Sequence, residues 1–345
     1  MSIANLDDAR GEIPTYKRTD FASDQDVRWC PGCGDYAILA TVQRLLPKLP
    51  VRKEDHVFIS GIGCSSRFPY YMQTYGFHTI HGRAPAFASG LKVANPNLHV
   101  WLVTGDGDAL SIGGNHLIHL IRRNVNLTVM LFNNRIYGLT KGQYSPTSEV
   151  GKRTKSSPMG SLDHPFNPLS VVLGASATFV ARSYDVDAKH LAATLQAAWE
   201  HKGTSFVEIY QNCNIFNDGA FSEVTDKANR GVKQLRLEQG KPMLYADGTQ
   251  GLVARDGGFE VVSVGEGGVS VDDLAVHDAT RTNPSRAFAL AQLNVPEFPV
   301  PMGILRQIER PTYEDLASDQ IEQARAAKTP DVNALLHSGY TWTVE

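Results

Sequence analysis

Short apolar runs separated by helical periodicities occupy the chain from about residue 35 to residue 212. A mostly parallel sheet covered by helices on both faces reads this way, because its strands are buried on both sides and each crossover needs a helix with one apolar stripe. Tyr36 to Leu46 reads as a helix stopped by Pro47, and His56 to Ser60 as a short strand entering the turn Gly61-Ile62-Gly63. PAFASGLKVA, ending before Pro96, reads as a helix, and HVWLVT as a strand running straight into Gly105-Asp106-Gly107. Gly114 to Arg123 follows as a helix and NLTVMLFNN as the next buried strand. Regular structure resumes with PLSVVLGA, the strand TFVA, the helix AKHLAATLQAAWEH and the strand SFVEIY, which delivers Cys213. The expected class is α/β.

Residues 140 to 165 are polar and rich in Gly, Pro, Ser and Lys, which predicts a long surface loop able to close over a ligand. Beyond Cys213 the pattern changes, and KPMLYADGTQGLVARDGGFEVVSV reads as antiparallel strands joined at Asp-Gly turns. The chain therefore divides into an amino-terminal segment 1–34, a central domain 35–214 and a carboxy-terminal extension 215–345.

Composition narrows the functional classes. With 345 residues, 42% hydrophobic and 20% charged, the chain is long enough to bury a substantial core. A net charge of -3 gives no electrostatic reason to expect nucleic acid or an anionic membrane as partner. The amino terminus holds no apolar stretch that could serve as a signal-peptide core and no run approaches a membrane span, so a cytoplasmic protein is the expectation. There, the four cysteines read as metal ligands or redox groups rather than disulfides.

Asp106 sits between two glycines at the end of one apolar strand, and Asn134 ends the next apolar strand after one helix. In a right-handed crossover these strand ends can lie close together, on the edge where open α/β sheets bind ligands. Two oxygen donors beside a glycine-lined turn suit a magnesium ion holding a diphosphate. A lone Gly-Asp-Gly is more often a plain turn. The unit of strand, Gly-Asp-Gly, helix, strand and Asn133-Asn134 is more specific, and it resembles the thiamine-diphosphate fingerprint. That resemblance assigns Asp106, Asn134 and the carbonyl of Ile136 to the metal.

Cys30 and Cys33 form WCPGCG, Cys64 lies in GIGCSS and Cys213 in QNCN. Four thiolates suit a 4Fe-4S cluster and equally a structural zinc, and buried unliganded cysteines remain the bland reading of Cys64 and Cys213. A thioredoxin-type dithiol fits less well, because such a motif follows a strand and the residues before Cys30 are charged and polar.

WCPGCGDYAIL, GIGCSS, HTIHGRAPAFASGLK, VTGDGDALSIGGNHLIHLIRRN, NNRIYGLTKGQYSPTS and QNCNIFN resemble, in order and spacing, the beta subunit of 2-oxoacid:ferredoxin oxidoreductases. HDATRTNPSRAFALAQL and EFPVPMGILRQIERPTYEDL resemble its closing segment. The resemblance implies a thiamine-diphosphate-binding fold and one 4Fe-4S cluster on Cys30, Cys33, Cys64 and Cys213. It implies cofactor contacts at Ile62, Gly63, Cys64, Ser65, His81, Gly107, Asp108, Gly138 and Leu139. On residues alone, His81 reads equally as a structural histidine in a glycine turn.

The implied reaction is coenzyme A-dependent oxidative decarboxylation of a 2-oxoacid, with ferredoxin taking the electrons. No segment supplies the glutamate that thiamine enzymes place beside the aminopyrimidine. By resemblance it comes from an alpha subunit, in a heterodimer or a dimer of heterodimers, and the beta chain alone is expected to be inactive. Arg67 is expected to pair with the distal carboxylate of 2-oxoglutarate, with Leu139, Thr140 and Lys141 shaping the same pocket. The alternative is that Arg67 pairs with a neighbouring acid or packs on Phe68 and Tyr70. Pyruvate or another 2-oxoacid as substrate, a non-oxidative thiamine enzyme, and an electron-transfer module with a relic cofactor fold are the competing readings.

Overall fold

The computed structural model describes residues 12–265 and 267–344, and the first residues of the segment 1–34 lie outside them. Strands β1 (His56–Ser60), β2 (Tyr75–His78), β3 (His99–Gly105), β4 (Leu127–Asn133), β5 (Phe179–Tyr184) and β6 (Thr204–Tyr210) are mutually parallel. With β7 (Gln234–Arg236) and β11 (Val300–Gln307) they form one sheet in the order β2-β1-β3-β4-β6-β5-β11-β7.

Strand side chains alternate between two cores, as the pleat dictates. Ile59, Leu102, Val129 and Leu131 face helices α2 (Ala84–Ala94), α4 (Gly114–Arg123) and α5 (Pro168–Gly174). Phe58, Trp101, Met130 and Phe132 belong to the opposite core, with Ile38 and Val42 of α1 (Asp35–Leu45) and Leu191 and Leu195 of α6 (Ala188–Glu200). Phe58 stacks on Trp101 at 5.9 Å with an interplanar angle of 9°. Both faces are thus dry, which is why the strands read as continuous apolar runs.

The carboxy-terminal region is tied to this sheet. β11 runs antiparallel to β5 and parallel to β7, so the last third of the chain extends the central sheet. Asn124 ends α4 with a left-handed backbone (φ 56°). Its carboxamide accepts from Thr178 Oγ1 at 2.7 Å and donates to the Arg310 carbonyl at 2.9 Å. The expected antiparallel strands are β8 (Leu244–Tyr245), β9 (Gln250–Arg255) and β10 (Gly258–Ser263), a separate three-stranded sheet. Asp256 and Gly257 turn between β9 and β10 with φ of 49° and 79°, the left-handed pair such hairpins require. Among the described residues no helix is long and apolar enough to cross a membrane.

One consequence of parallel pairing positions the site. β1, β3, β4 and β6 all deliver their carboxyl ends to the same edge, so Cys64, Asp106, Asn134 and Cys213 emerge together although they are far apart in sequence. β1 is followed by a connection to the edge strand β2, whereas β3 leads on to β4 in the opposite direction. The crevice between β1 and β3 is therefore a topological switch point, where open α/β sheets take their ligands.

Candidate active site at the carboxyl edge of the sheet

A cleft of about 100 Å³ opens at that switch point. Its walls include Ile62, Gly63, Cys64 and Ser65 after β1, and His81 after β2. Asp106, Gly107 and Asp108 follow β3 in the short helix α3 (Asp106–Leu110), and Asn134, Ile136, Gly138, Leu139 and Thr140 follow β4. Of the residues expected to meet the cofactor or its metal, all line this one cleft. A larger cavity of about 390 Å³ beside Asp185, Asn212, Asp218 and Arg230 contains none of them.

Asp106 is 2% exposed, and burial raises its carboxyl above the usual range. Hydroxyls oppose that rise: Ser145 and Thr147 donate to Asp106 Oδ2 at 2.5 and 2.6 Å. Thr147 also donates to Asn133 Oδ1 at 3.0 Å, and Asn133 Nδ2 donates to Glu208 at 2.8 Å. Glu208 is held in turn by the buried Arg182 at 2.7 Å. Asn134 directs its amide nitrogen to Gln211 Oε1 at 2.8 Å, while its Oδ1 accepts the Ile136 N–H at 3.2 Å. A buried carboxylate, an oriented amide oxygen and a nearby backbone carbonyl form an oxygen-only donor set. That set fits magnesium, and a cation there offsets the cost of burying the Asp106 charge.

The loop 140–165 departs from expectation. It is not wholly a surface element: Ser145, Thr147, Ser148 and Ser161 are buried, and the first two are the partners of Asp106. Its outer part carries Met159 and Leu162, each 89% exposed. Asp108 lines the cleft, yet its oxygens are engaged by the N–H groups of Ile62 (3.3 Å) and Gly82 (2.8 Å) and by the Thr104 hydroxyl (3.0 Å). It staples the cleft-forming loops together. Tyr137 was not foreseen. Its hydroxyl donates to the Gly107 carbonyl at 3.0 Å, and a Cβ on Gly107 would come within 2.1 Å of its ring.

Hydrogen bonds draw the cysteine segments to the same edge. Trp29 Nε1 donates to the Cys64 carbonyl at 2.6 Å, Asn214 Nδ2 to the Pro31 carbonyl at 2.7 Å and the Gly34 N–H to Asn212 at 3.1 Å. Burial, with Asp35 next, pushes the Cys64 thiol up to about 12, and Cys213 adds to the rise while Arg67 opposes it. Cys33 is raised by the same causes, with Cys213 and Cys64 contributing. Asp35, 2% exposed, is raised to about 7 by burial and by Asp185, against a hydrogen bond with Cys33. A Cβ added to Gly138 would lie 3.5 Å from Cys213 Sγ and 3.6 Å from Cys64 Sγ. Among the described residues no group of three or more His, Cys, Asp and Glu is placed to hold a metal ion. A 4Fe-4S cluster takes its thiolates spread around an inorganic core, and four cysteines brought to one sheet edge suit that chemistry.

The substrate-pocket expectations separate. Leu139 and Thr140 line the cleft, whereas Lys141 is exposed outside it with φ 75°. Arg67 stands near Cys64 but does not line the cleft, and its Nη1 donates to the Arg28 carbonyl at 2.7 Å.

Residues 61–209, the segment that builds the cleft, match the family "Thiamine pyrophosphate enzyme, C-terminal TPP binding domain". The chain is 56% identical over 334 residues to 2-oxoglutarate oxidoreductase subunit KorB of Mycobacterium tuberculosis, covering 95% of this chain and 89% of that one. It belongs to the 2-oxoacid:ferredoxin oxidoreductase beta-subunit family. A beta subunit of 2-oxoacid:ferredoxin oxidoreductase 1 from Aeropyrum pernix is 46% identical over 201 residues, 58% of this chain and 62% of that one. A solved structure, 2-oxoglutarate:ferredoxin oxidoreductase from Magnetococcus marinus with 2-oxoglutarate, coenzyme A and succinyl-CoA bound, superposes with a TM-score of 0.76. That match has 32% identity and covers 95% of this chain and 98% of the other. Thiamine diphosphate is thus the cofactor of this beta subunit's fold, and the matched segment 61–209 supplies the strand ends that line the cleft at the switch point.

Proposed function

We propose that this beta subunit, with an alpha subunit, carries out the coenzyme A-dependent oxidative decarboxylation of 2-oxoglutarate to succinyl-CoA, passing electrons through a 4Fe-4S cluster to ferredoxin. One observation carries the reading: Cys64, a thiol of the cluster set, lines the same cleft as Asp106 and Asn134. Thiamine diphosphate, when bound, would supply the carbon chemistry, an electron sink for the charge left by decarboxylation. Asp106, Asn134 and the Ile136 carbonyl would hold the magnesium that neutralises the diphosphate. Cys30, Cys33, Cys64 and Cys213 would hold the cluster, with Gly138 of the cleft wall lying beside Cys213 and Cys64. Central residues 35–214 act as the diphosphate-side binding domain.

The alpha subunit completes the site by supplying the glutamate. Two apolar exposures support such a partner: Met159 and Leu162 on the outer loop, and Tyr75 and Phe77 on the edge strand β2, 67% and 43% exposed.

The 2-oxoglutarate assignment rests on the relatives' own substrate names, and Arg67, held by the Arg28 carbonyl outside the cleft wall, is the candidate reader of the distal carboxylate. Co-purified alpha and beta chains should turn over 2-oxoglutarate in preference to pyruvate, branched-chain oxoacids and arylpyruvates under anoxic conditions. Arg67→Met should lower kcat/KM for 2-oxoglutarate by roughly tenfold or more, the loss of a charged hydrogen bond worth about 1.5–3 kcal/mol, and leave pyruvate much less affected. Equal losses for both substrates would reduce Arg67 to the tether of Arg28 seen in the structure. Pyruvate as the preferred substrate would overturn the assignment.

A further inference from the structure

Gln211 follows the last residue of β6, 1% exposed, between the Asn134 side chain and the cysteine loops. Its backbone N–H donates to the Asn133 carbonyl at 2.9 Å, which fixes its place beside the end of β4. Its side-chain Nε2 donates to the Asn212 carbonyl at 2.7 Å and to Cys33 Sγ at 3.2 Å. Oε1 accepts from Asn134 Nδ2 at 2.8 Å.

The polarity of these bonds follows from one group that can only accept. A backbone carbonyl at Asn212 requires the nitrogen of the Gln211 amide, so the oxygen must face Asn134. Asn134 must then present its own nitrogen to Gln211, which turns its Oδ1 away from Gln211. An inverted Asn134 would offer N–H donors where a magnesium ligand must be an oxygen. The second hydrogen of Nε2 meanwhile points at a cluster thiol, and hydrogen bonds to sulfur favour the more negative, reduced cluster.

From this arrangement we infer that Gln211 is a positioning residue shared by both cofactors: it sets the orientation of Asn134 toward magnesium and, through Cys33, raises the reduction potential of the cluster. The inference rests on the magnesium and cluster assignments proposed above. It means that one buried amide tunes the hold on the cofactor and the ease of removing its electrons.

Gln211→Met keeps the length of the side chain and removes both polar ends. The test uses the anoxic alpha-beta complex, with thiamine diphosphate and magnesium titrated by protein fluorescence and the cluster poised and read by electron paramagnetic resonance. Affinity should fall about 10- to 100-fold, the usual effect of losing an outer-sphere partner of a metal ligand. The reduction equilibrium of the cluster should weaken about tenfold, which for one electron is a shift of about 59 mV to lower potential. Unchanged affinity would overturn the magnesium half, and an unchanged potential in an intact cluster would overturn the sulfur half. If the variant assembles no cluster, wild-type complex labelled with 15N in glutamine side chains decides. Pulsed resonance of its reduced cluster should show one weakly coupled nitrogen, and its absence would refute the bond to Cys33. A wild-type complex without a cluster or bound cofactor would instead contradict the functional reading itself.

Discussion

Asp106→Ala should lose thiamine diphosphate while keeping the iron-sulfur cluster. The Asp106 carboxylate is the single anionic member of the oxygen donor set, and its burial makes it costly to ionise without a cation nearby. Removing it also takes from the buried Ser145 and Thr147 hydroxyls their shortest hydrogen bonds. Since even outer-sphere partners of metal ligands cost roughly 10–100-fold, cofactor affinity should fall by more than about 100-fold. Iron content and the cluster spectrum should stay as in wild type, because Asp106 bonds to Ser145, Thr147 and the Asn134 backbone rather than to the cysteine segments. Unchanged affinity in metal-controlled buffer would refute the metal site.

Cys213→Ala should have the opposite signature. Cys213 does not line the cleft, so thiamine diphosphate should bind within a few-fold of wild type. The cluster loses one of four thiolates, and ferredoxin-linked turnover should fall by on the order of 10³-fold or more because the electron path is gone. Iron analysis and the loss of brown colour check the first part, and an anoxic ferredoxin assay the second. A variant that kept its iron and its colour would show that Cys213 is no ligand.

How much of this was legible in the chain varied with the physics behind each feature. β1 and the helix Gly114–Arg123 were read to the residue, and β3 and β4 nearly so, because strands buried on both faces leave an uninterrupted apolar run bounded by turn residues. β2 is the strand the sequence pattern does not announce: it is four residues long and wholly exposed, too short for the Tyr75 and Phe77 alternation to stand out as a strand. β11 was missed because Pro301 and Gly303 read against a strand. Its register shifts between Ile304 and Arg306, and Gly303, at φ 118°, lies where a Cβ would meet the Leu237 carbonyl at 3.0 Å.

The strand-end residues of the cleft were legible because each closes a readable strand. Their partners were not. Ser145 and Thr147 sit in a polar tract whose composition matches a surface loop, and only the carboxylate they cover explains their burial. Gln211 and Tyr137 are ordinary residues by type, and their roles come from which strand ends the sheet sets side by side. A closer reading of QNCN, with an amide two residues before a cysteine at a strand end, held the one available hint of Gln211.

The central claim is that one cleft joins thiamine chemistry to a cysteine-held cluster, and substrate-driven reduction of that cluster tests it most directly. The anoxic alpha-beta complex is mixed with 2-oxoglutarate in the absence of ferredoxin and frozen, and its electron paramagnetic resonance is recorded. The account predicts the signal of a reduced 4Fe-4S cluster in wild type, lost in Asp106→Ala although dithionite still reduces the same cluster there. Consumption of 2-oxoglutarate with the wild-type cluster left oxidised, or a colourless complex carrying zinc in place of iron, would contradict it.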